Sequence, residues 1–321
     1  MTTQAEILNN TDYVPLLDYG FAGVIDTMGD DDAIVRAARI SYGDGTKSVR
    51  EDRALIRYLF RHHHSSPVEM VEIKFHLRLP IFVMRQLIRH RTHSANEYSG
   101  RYSVMTDEFY VPNLDAIQPQ SSGNRQGREG TISDSSKEGV RWMMSAAYET
   151  GYDVYQALLG ERATERFIQG DVPYGAYDDV DPLFDDEYPG IARELARSVL
   201  SVGNYTEIYW KQNLHNLFHL LNLRSDDGAQ HEIRVYANAM YELIKPRFPL
   251  ACEAYEDYIR DSVTLSRMEI DLLGELLDRE SAAQHLSRMM LDAGGPKAFA
   301  EQNRMSKREL DEFQRRFGFD R

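Results

Sequence analysis

A chain of 321 residues is long enough to bury a substantial core, and 42% hydrophobic against 27% charged residues is the make-up of a soluble folded protein; no apolar run approaches the roughly 18 residues that cross a bilayer. The formal net charge of -14 argues against a nucleic-acid partner, because phosphates would be repelled unless basic residues gathered on one surface. The single cysteine, Cys252, excludes an intrachain disulfide and a cysteine-built zinc site; with an N-terminus that resembles no signal peptide, it points to a reducing, cytoplasmic setting.

In chain order, a short apolar stretch from Phe21 to Ile25 leads through Asp30, an N-cap candidate, into a helical pattern over Ala33 to Ile40, and a second helix is expected from Arg50 to Arg61. Val71, Ile73, Phe75, Leu77 and Leu79 alternate with Glu72, Lys74, His76 and Arg78, which predicts a strand with one buried and one polar face. Pro80 suits the first turn of a helix over Ile81 to Arg91. Residues 115 to 138 are rich in Ser, Gly, Gln and Asn and read as a mobile loop. Residues 171 to 190, with six acids between Asp178 and Glu187, read as a solvated insertion. Helices are expected over Lys137 to Gln169, Gly190 to Val202, Asn204 to Leu223, Ala229 to Lys245 and Leu250 to Ser262. Capping boxes at Ser266 with Glu269 and at Ser306 with Glu309 place short helices in the charged C-terminal stretch. The fold class expected is α+β: one mixed domain over residues 1–262, a small antiparallel sheet packed by long helices, and a helical extension over 263–321.

Chemistry concentrates between Arg85 and Arg101, where four arginines and two histidines meet one acid, Glu97, in an otherwise acidic chain. That is an anion site in the making. Arg85 and Arg89 are four apart and Gln86 and Arg89 three apart, neighbours on one helical face. Ser94, Asn96, Ser99 and Gly100 then supply short hydrogen-bonding side chains and a permissive backbone that suit close approach to a phosphate. For the arginines alone, cations complementing a helix C-terminus are an equal account.

The string RHRTHSANEYSGR over Arg89 to Arg101 resembles the signature of flavin-dependent thymidylate synthases, an Arg-His-Arg triplet followed by a spaced Ser, Gly and Arg. His64, Ser66, Pro67 and Glu69 upstream, Gln86 before the triplet, Arg197 in ARELARSVL and Arg224 in LNLR ahead of AQHEIR agree with the family in order. The resemblance spans roughly residues 20 to 260. It implies methylation of dUMP to dTMP, with 5,10-methylenetetrahydrofolate as carbon donor, FAD as cofactor and NADPH as reductant, in a homotetramer whose active sites are shared between subunits. By the same resemblance, dUMP meets Gln86, Arg89, Glu97, Ser99, Gly100, Arg101, Arg197 and Arg224, and FAD meets Ser66, Arg89, His90, Arg91, Glu97, Asn213, His215 and His219. Arg224 is the implied catalytic residue, a fixed cation that stabilises charge on the uracil ring. Ser99 is first a substrate-binding residue, because a serine needs an adjacent base to become a nucleophile.

If Asn213 and Arg224 share one long helix, their spacing puts them about 20° apart around its axis, with His215 and His219 on the other side. Spacing alone also describes an amphipathic helix with satisfied histidines. The chain departs from the family's usual residues at His215, where Arg is common, at His219, where Asn is common, and at Gly228, where His is common.

Three other readings remain open at this level. His62, His63 and His64 with His90 and His93 raise a metal site, although no metal-ligand spacing accompanies them and none is expected. The arginine cluster with Tyr98 and Tyr102 raises an RNA-binding surface, against the overall charge. Cys252 raises a thiolate mechanism, but PLACEAY offers no neighbouring His or Arg and reads as core.

Overall fold

The computed structural model describes residues 12–40, 49–123, 126–161, 188–276, 279–317 and 319. Five strands, β1 (Tyr13–Leu16), β2 (Gly20–Met28), β3 (Glu72–Pro80), β4 (His93–Glu97) and β5 (Tyr205–Asn213), form one antiparallel sheet in the order β1-β2-β3-β5-β4. The helices in chain order are α1 (Asp31–Arg39), α2 (Val49–Arg61), α3 (Ile81–Leu87), α4 (Asp134–Leu158), α5 (Arg193–Ala196), α6 (Leu214–Arg224), α7 (His231–Ile244), α8 (Pro249–Tyr255), α9 (Arg267–Leu276), α10 (Arg279–Asp292), α11 (Pro296–Gln302) and α12 (Lys307–Phe317). The α+β class is as expected. No described helix is long and apolar enough to cross a membrane.

The core lies where the alternating side chains of β3 and β5 meet the helices. Ile73, Phe75 and Leu77 have no exposed surface, nor has Trp210, and they join Val35 of α1, Ile56 of α2, Val83 of α3, Leu217 of α6, Met240 of α7 and Cys252 of α8 in one cluster. Each such side chain contributes about 1.5–3 kcal/mol by leaving water. The polar face of β3 is less open than its alternation implied. His76 is buried, with Nδ1 against the Tyr13 hydroxyl at 3.0 Å and Nε2 against Glu207 Oε1 at 2.7 Å.

Caps set several helix starts. Asp30 accepts from the Ala33 backbone N–H at 2.9 Å, as its position predicted. Asp31, the next residue, accepts the backbone N–H groups of Leu250 at 2.7 Å and Ala251 at 3.0 Å, so α1 caps the start of α8. Helix α4 starts at Asp134 and its C-cap is Leu159, followed by Gly160 at φ +75°. It begins inside the expected 115 to 138 loop and stops short of Gln169. Within the described part of that loop, Gln120 bridges Arg128, and Arg128 donates to the Ala116 carbonyl at 2.9 Å. The acidic run from Asp178 to Glu187 lies outside the described residues.

Two expected helices are helical only in part. Residues 205–213 form β5, and only Leu214–Arg224 is helical. Gly190 to Val202 holds the short α5 and a 3-10 turn over Arg197–Val199. In the first, Thr206, Ile208, Trp210 and Gln212 are buried with period two, and the run YTEIYW has β-branched and aromatic residues that favour a strand. The pairing with β3 overrides what reads as helical spacing.

Both C-terminal capping boxes form: Ser266 with Glu269 ahead of α9, and Ser306 with Glu309 at α12. The tail has its own small core of Met290, Phe299, Ala300 and Leu310. Glu309 also accepts from Arg57 Nε of α2 at 3.0 Å, both side chains being buried, and Arg57 pairs with Glu253 and Asp257 besides. Glu309→Ala therefore removes a cap and one of three partners of Arg57, and should loosen the tail's attachment by about 1–3 kcal/mol. Hydrogen exchange over residues 296–317 should rise while exchange in β3 and β5 stays unchanged; equal protection throughout would refute the anchoring.

Candidate active site

Helix α3 ends at Leu87, four residues short of the expected Arg91. The chain then turns through residues 88–92 and enters β4, an edge strand for which no expectation was made. The turn is pinned from three sides. His93 donates from Nδ1 to the His90 carbonyl at 2.6 Å and stacks on Trp210 at 3.9 Å, and Gln212 Nε2 donates to the Arg91 carbonyl at 3.0 Å. Thr92 sits at φ +58°, the left-handed region, which costs a β-branched residue about 1–3 kcal/mol and survives only where the surroundings impose it. The Arg-His-Arg triplet is thus held on a strained, rigid corner.

That corner meets the end of α6. Arg224 Nε donates to His90 Nε2 at 2.9 Å, and its terminal nitrogen lies 3.5 Å from the Gln86 carbonyl. Since Arg224 can only donate, His90 Nε2 is the unprotonated nitrogen and the ring proton sits on Nδ1. Burial, then the charges of Arg224, His219 and His93, push the His90 pKa from its ordinary 6.5 to about 4. The His219 ring stands 6.3 Å from that of His90. Gln86, His90, His219 and Arg224 therefore form one group, and His219 shares the neighbourhood of Arg224 instead of facing away from it.

Asn213 is not in the body of the helix. It is the N-cap of α6, its Oδ1 accepting from the Asn216 backbone N–H at 2.9 Å, while its amino group makes no hydrogen bond among the described residues. His215 lies one turn before His219 on the exposed side of α6. Ser66 is exposed just before a 3-10 turn (Val68–Met70) that packs against α6.

A second group forms past β4. Glu97 accepts from Thr206 Oγ1 at 2.7 Å. Ser99 Oγ accepts from the Arg101 backbone N–H at 3.3 Å, and among the described residues no base bonds to it, which favours binding over attack. Arg101 pairs with Glu194 at 3.1 Å, both more than half exposed. A Cβ on Gly100 would stand 3.0 Å from Met105 Sδ and 3.1 Å from Arg197 Cδ, so the missing side chain is what lets Arg197 close over the backbone here. Arg89, Arg91 and Arg197 are exposed and have no acidic partner among the described residues.

Cavities of about 430 and 320 Å³ border the second group, and one of about 590 Å³ is lined by Gln230, the hydrogen-bond partner of Gln86. The largest is lined in part by Tyr110, Arg128, Gly228 and Gln230, the second by Arg101 and Arg193, the third by Glu97 and Tyr209. Gln230, Glu232 and Arg128 were not singled out from the sequence; the signal is Glu232, a charged residue with no exposed surface, which only the fold reveals.

Among the described residues no group of three or more His, Cys, Asp or Glu is placed to hold a metal, and His62 and His64 instead pack on Tyr58. Cys252 has no exposed surface, and burial pushes its thiol far above the range in which a thiolate forms, so it is the core residue expected.

A family model described as thymidylate synthase complementing protein matches residues 23–250. The chain belongs to the flavin-dependent thymidylate synthases. It is 43% identical over 306 residues to the flavin-dependent thymidylate synthase of Rickettsia conorii, covering 95% of this chain and 93% of that one. With the Thermus thermophilus enzyme of the same description it shares 46% over 278 residues, 87% and 91% of the two chains. The crystal structure of a UMP/dUMP methylase, PolB of Streptomyces cacaoi bound with 5-Br UMP, superposes with a TM-score of 0.62 at 30% identity, over 76% of this chain and 97% of that one. As a flavin-dependent thymidylate synthase the chain is an enzyme that uses a flavin.

The His90 pKa carries a pH signature. Folded His90 titrates below its unfolded value, so the unfolded chain binds the extra proton first; the stability contribution is complete above about 6.5 and is lost as pH falls toward about 4. His90→Asn should flatten that loss, measured as the difference in denaturation midpoint between pH 7 and pH 5. Identical pH dependence in both proteins would show that His90 does not carry it.

Proposed function

We propose that this chain converts dUMP to dTMP with 5,10-methylenetetrahydrofolate as carbon donor and NADPH as reductant, using the two residue groups around Arg224 and Gly100 as its nucleotide and flavin site. The observation that carries the proposal is the Arg224–His90 hydrogen bond, which aims a guanidinium by means of a neutral imidazole. Bound FAD, once reduced, supplies the hydride. The protein's own residues do the rest. Arg224 offers a fixed cation to negative charge gathering on the uracil carbonyls and ring nitrogen, and charge stabilisation by a preoriented donor is the largest kind of catalytic contribution. His90 holds that cation in place without adding a competing positive charge.

Gln86, Arg89, Glu97, Ser99, Gly100, Arg101, Arg197 and Arg224 are assigned to dUMP. Paired guanidinium contacts suit its phosphate, and Gly100 allows the backbone to approach it. Ser66, Arg89, His90, Arg91, Glu97, Asn213, His215 and His219 are assigned to FAD. Asn213 retains its amino group for that purpose, and His215 and His219 face outward from α6. Homotetramer assembly in a cytoplasmic enzyme belongs to the same reading. It is supported by large apolar side chains left on the surface near the site, Tyr102, Trp142, Met143 and Leu195, each more than 60% exposed.

Purified protein should be yellow, oxidise NADPH and form dTMP; colourless protein without these activities would sink the reading. Arg224→Ala should lower kcat by at least a hundredfold with FAD still bound, since Arg224 is assigned to the substrate. Loss of flavin with dUMP affinity intact would reverse the assignment. Cys252→Ala should remain active, and an inactive but folded variant would restore a thiolate mechanism.

A further inference from the structure

Glu232, at the start of α7, has no exposed surface and is the end point of a chain of side chains that leads to Gln86. Its carboxylate accepts from Arg128 at 2.8 Å on both oxygens, from the Tyr110 hydroxyl at 3.0 Å and from Gln230 Nε2 at 2.7 Å. Gln230 Oε1 in turn accepts from Gln86 Nε2 at 2.5 Å. The direction of this chain is forced. A carboxylate has no proton to give, so Gln230 must turn its amino end to Glu232 and its carbonyl end to Gln86. Gln86 must then spend an N–H on Gln230, which leaves Oε1 as the end of its amide not turned to Gln230. Burial alone would favour the neutral acid, but the hydrogen bonds and charge of Arg128 keep Glu232 below the usual carboxylate range, so the chain stays one-way at neutral pH.

We propose that Glu232 is a positioning residue which, through Gln230, fixes the Gln86 amide with its oxygen toward the bound nucleotide and so selects a ligand with an N–H or O–H donor at that point. The proposal rests on the assignment of Gln86 to dUMP above. Two parts of dUMP carry such a donor, the ring N3–H of uracil and the 3′-hydroxyl of the sugar. Arg128 lies in the stretch between β4 and α4 and also ties down the Ala116 carbonyl, so that stretch supports the selection by keeping Glu232 charged. Gln230 makes no capping bond to α7, and changing it leaves the Arg128–Glu232 pair in place.

The test measures dissociation constants on FAD-loaded enzyme by calorimetry for dUMP, for dCMP, whose ring N3 is an acceptor, and for 2′,3′-dideoxyuridine monophosphate, which lacks the hydroxyl. Wild-type enzyme should bind one of the two analogues about tenfold more weakly than dUMP, and which one identifies the donor that Gln86 reads. Glu232→Gln allows the chain of amides to reverse, and Gln230→Leu frees Gln86 to rotate while the Arg128–Glu232 pair stays intact. Either variant should erase that preference, weakening dUMP about tenfold and the disfavoured analogue little. Equal weakening of all three ligands, or none, overturns the relay. Gln86→Ala separates the two levels: unchanged dUMP affinity overturns the assignment of Gln86 and the relay with it. Weakened dUMP binding in Gln86→Ala, with the preference intact in Gln230→Leu, overturns the relay alone.

Discussion

Strand β5 is the constraint on which the rest depends, because it is paired on both sides and both halves of the site are set by it. Its nine residues pair with β3 from Glu72↔Asn213 to Pro80↔Tyr205, and its other edge carries β4 from His93↔Gln212 to Glu97↔Ile208. The first pairing fixes where Asn213 ends the strand and caps α6, and hence where His219 and Arg224 come to lie. The second fixes where His93 enters the sheet, and hence the corner that holds His90. A one-residue slip of β4 against β5 would turn every side chain of the edge strand over and withdraw His90 from Arg224. The register is protected by the buried alternation of Thr206, Ile208, Trp210 and Gln212.

On that frame the site is built from groups that a purely structural protein would avoid. Arginines without acidic partners among the described residues crowd one corner of a chain with a net charge of -14, a β-branched residue occupies the left-handed region, and an imidazole is held neutral beside a guanidinium. Each lowers stability locally, and the large contiguous core offsets the cost. Neutrality of His90 is a geometric necessity. A protonated ring would place two cations in contact and leave Arg224 Nε with no acceptor.

Much of this was legible in the sequence, and the misses have one physical origin. The alternation of β3, the caps at Asp30, Ser266 and Ser306 and the cationic string from Arg89 to Arg101 are local signals, readable because neighbours in sequence carry them. Strand β4 has no apolar alternation and exists only because β5 offers it an edge. Misreading β5 as the first half of a long helix therefore hid β4 as well, and put Asn213 on a helical face when it is a cap. Glu232 and Arg128 were invisible for a related reason: 104 residues separate them, and nothing local marks the partner of a buried carboxylate.

The two ion pairs beside the site behave in opposite ways, and burial decides which. Arg101 and Glu194 are both more than half exposed, where such a pair is worth about 0–1 kcal/mol, so a phosphate dianion can take Arg101 from Glu194 at little cost. Arg128 faces a Glu232 side chain that is 1% exposed, and separating them would strand a buried charge at a cost of about 3–5 kcal/mol. The first pair can yield to a ligand. The second cannot, and so it is the one able to hold Gln230 and Gln86 in a single orientation through each cycle of binding and release.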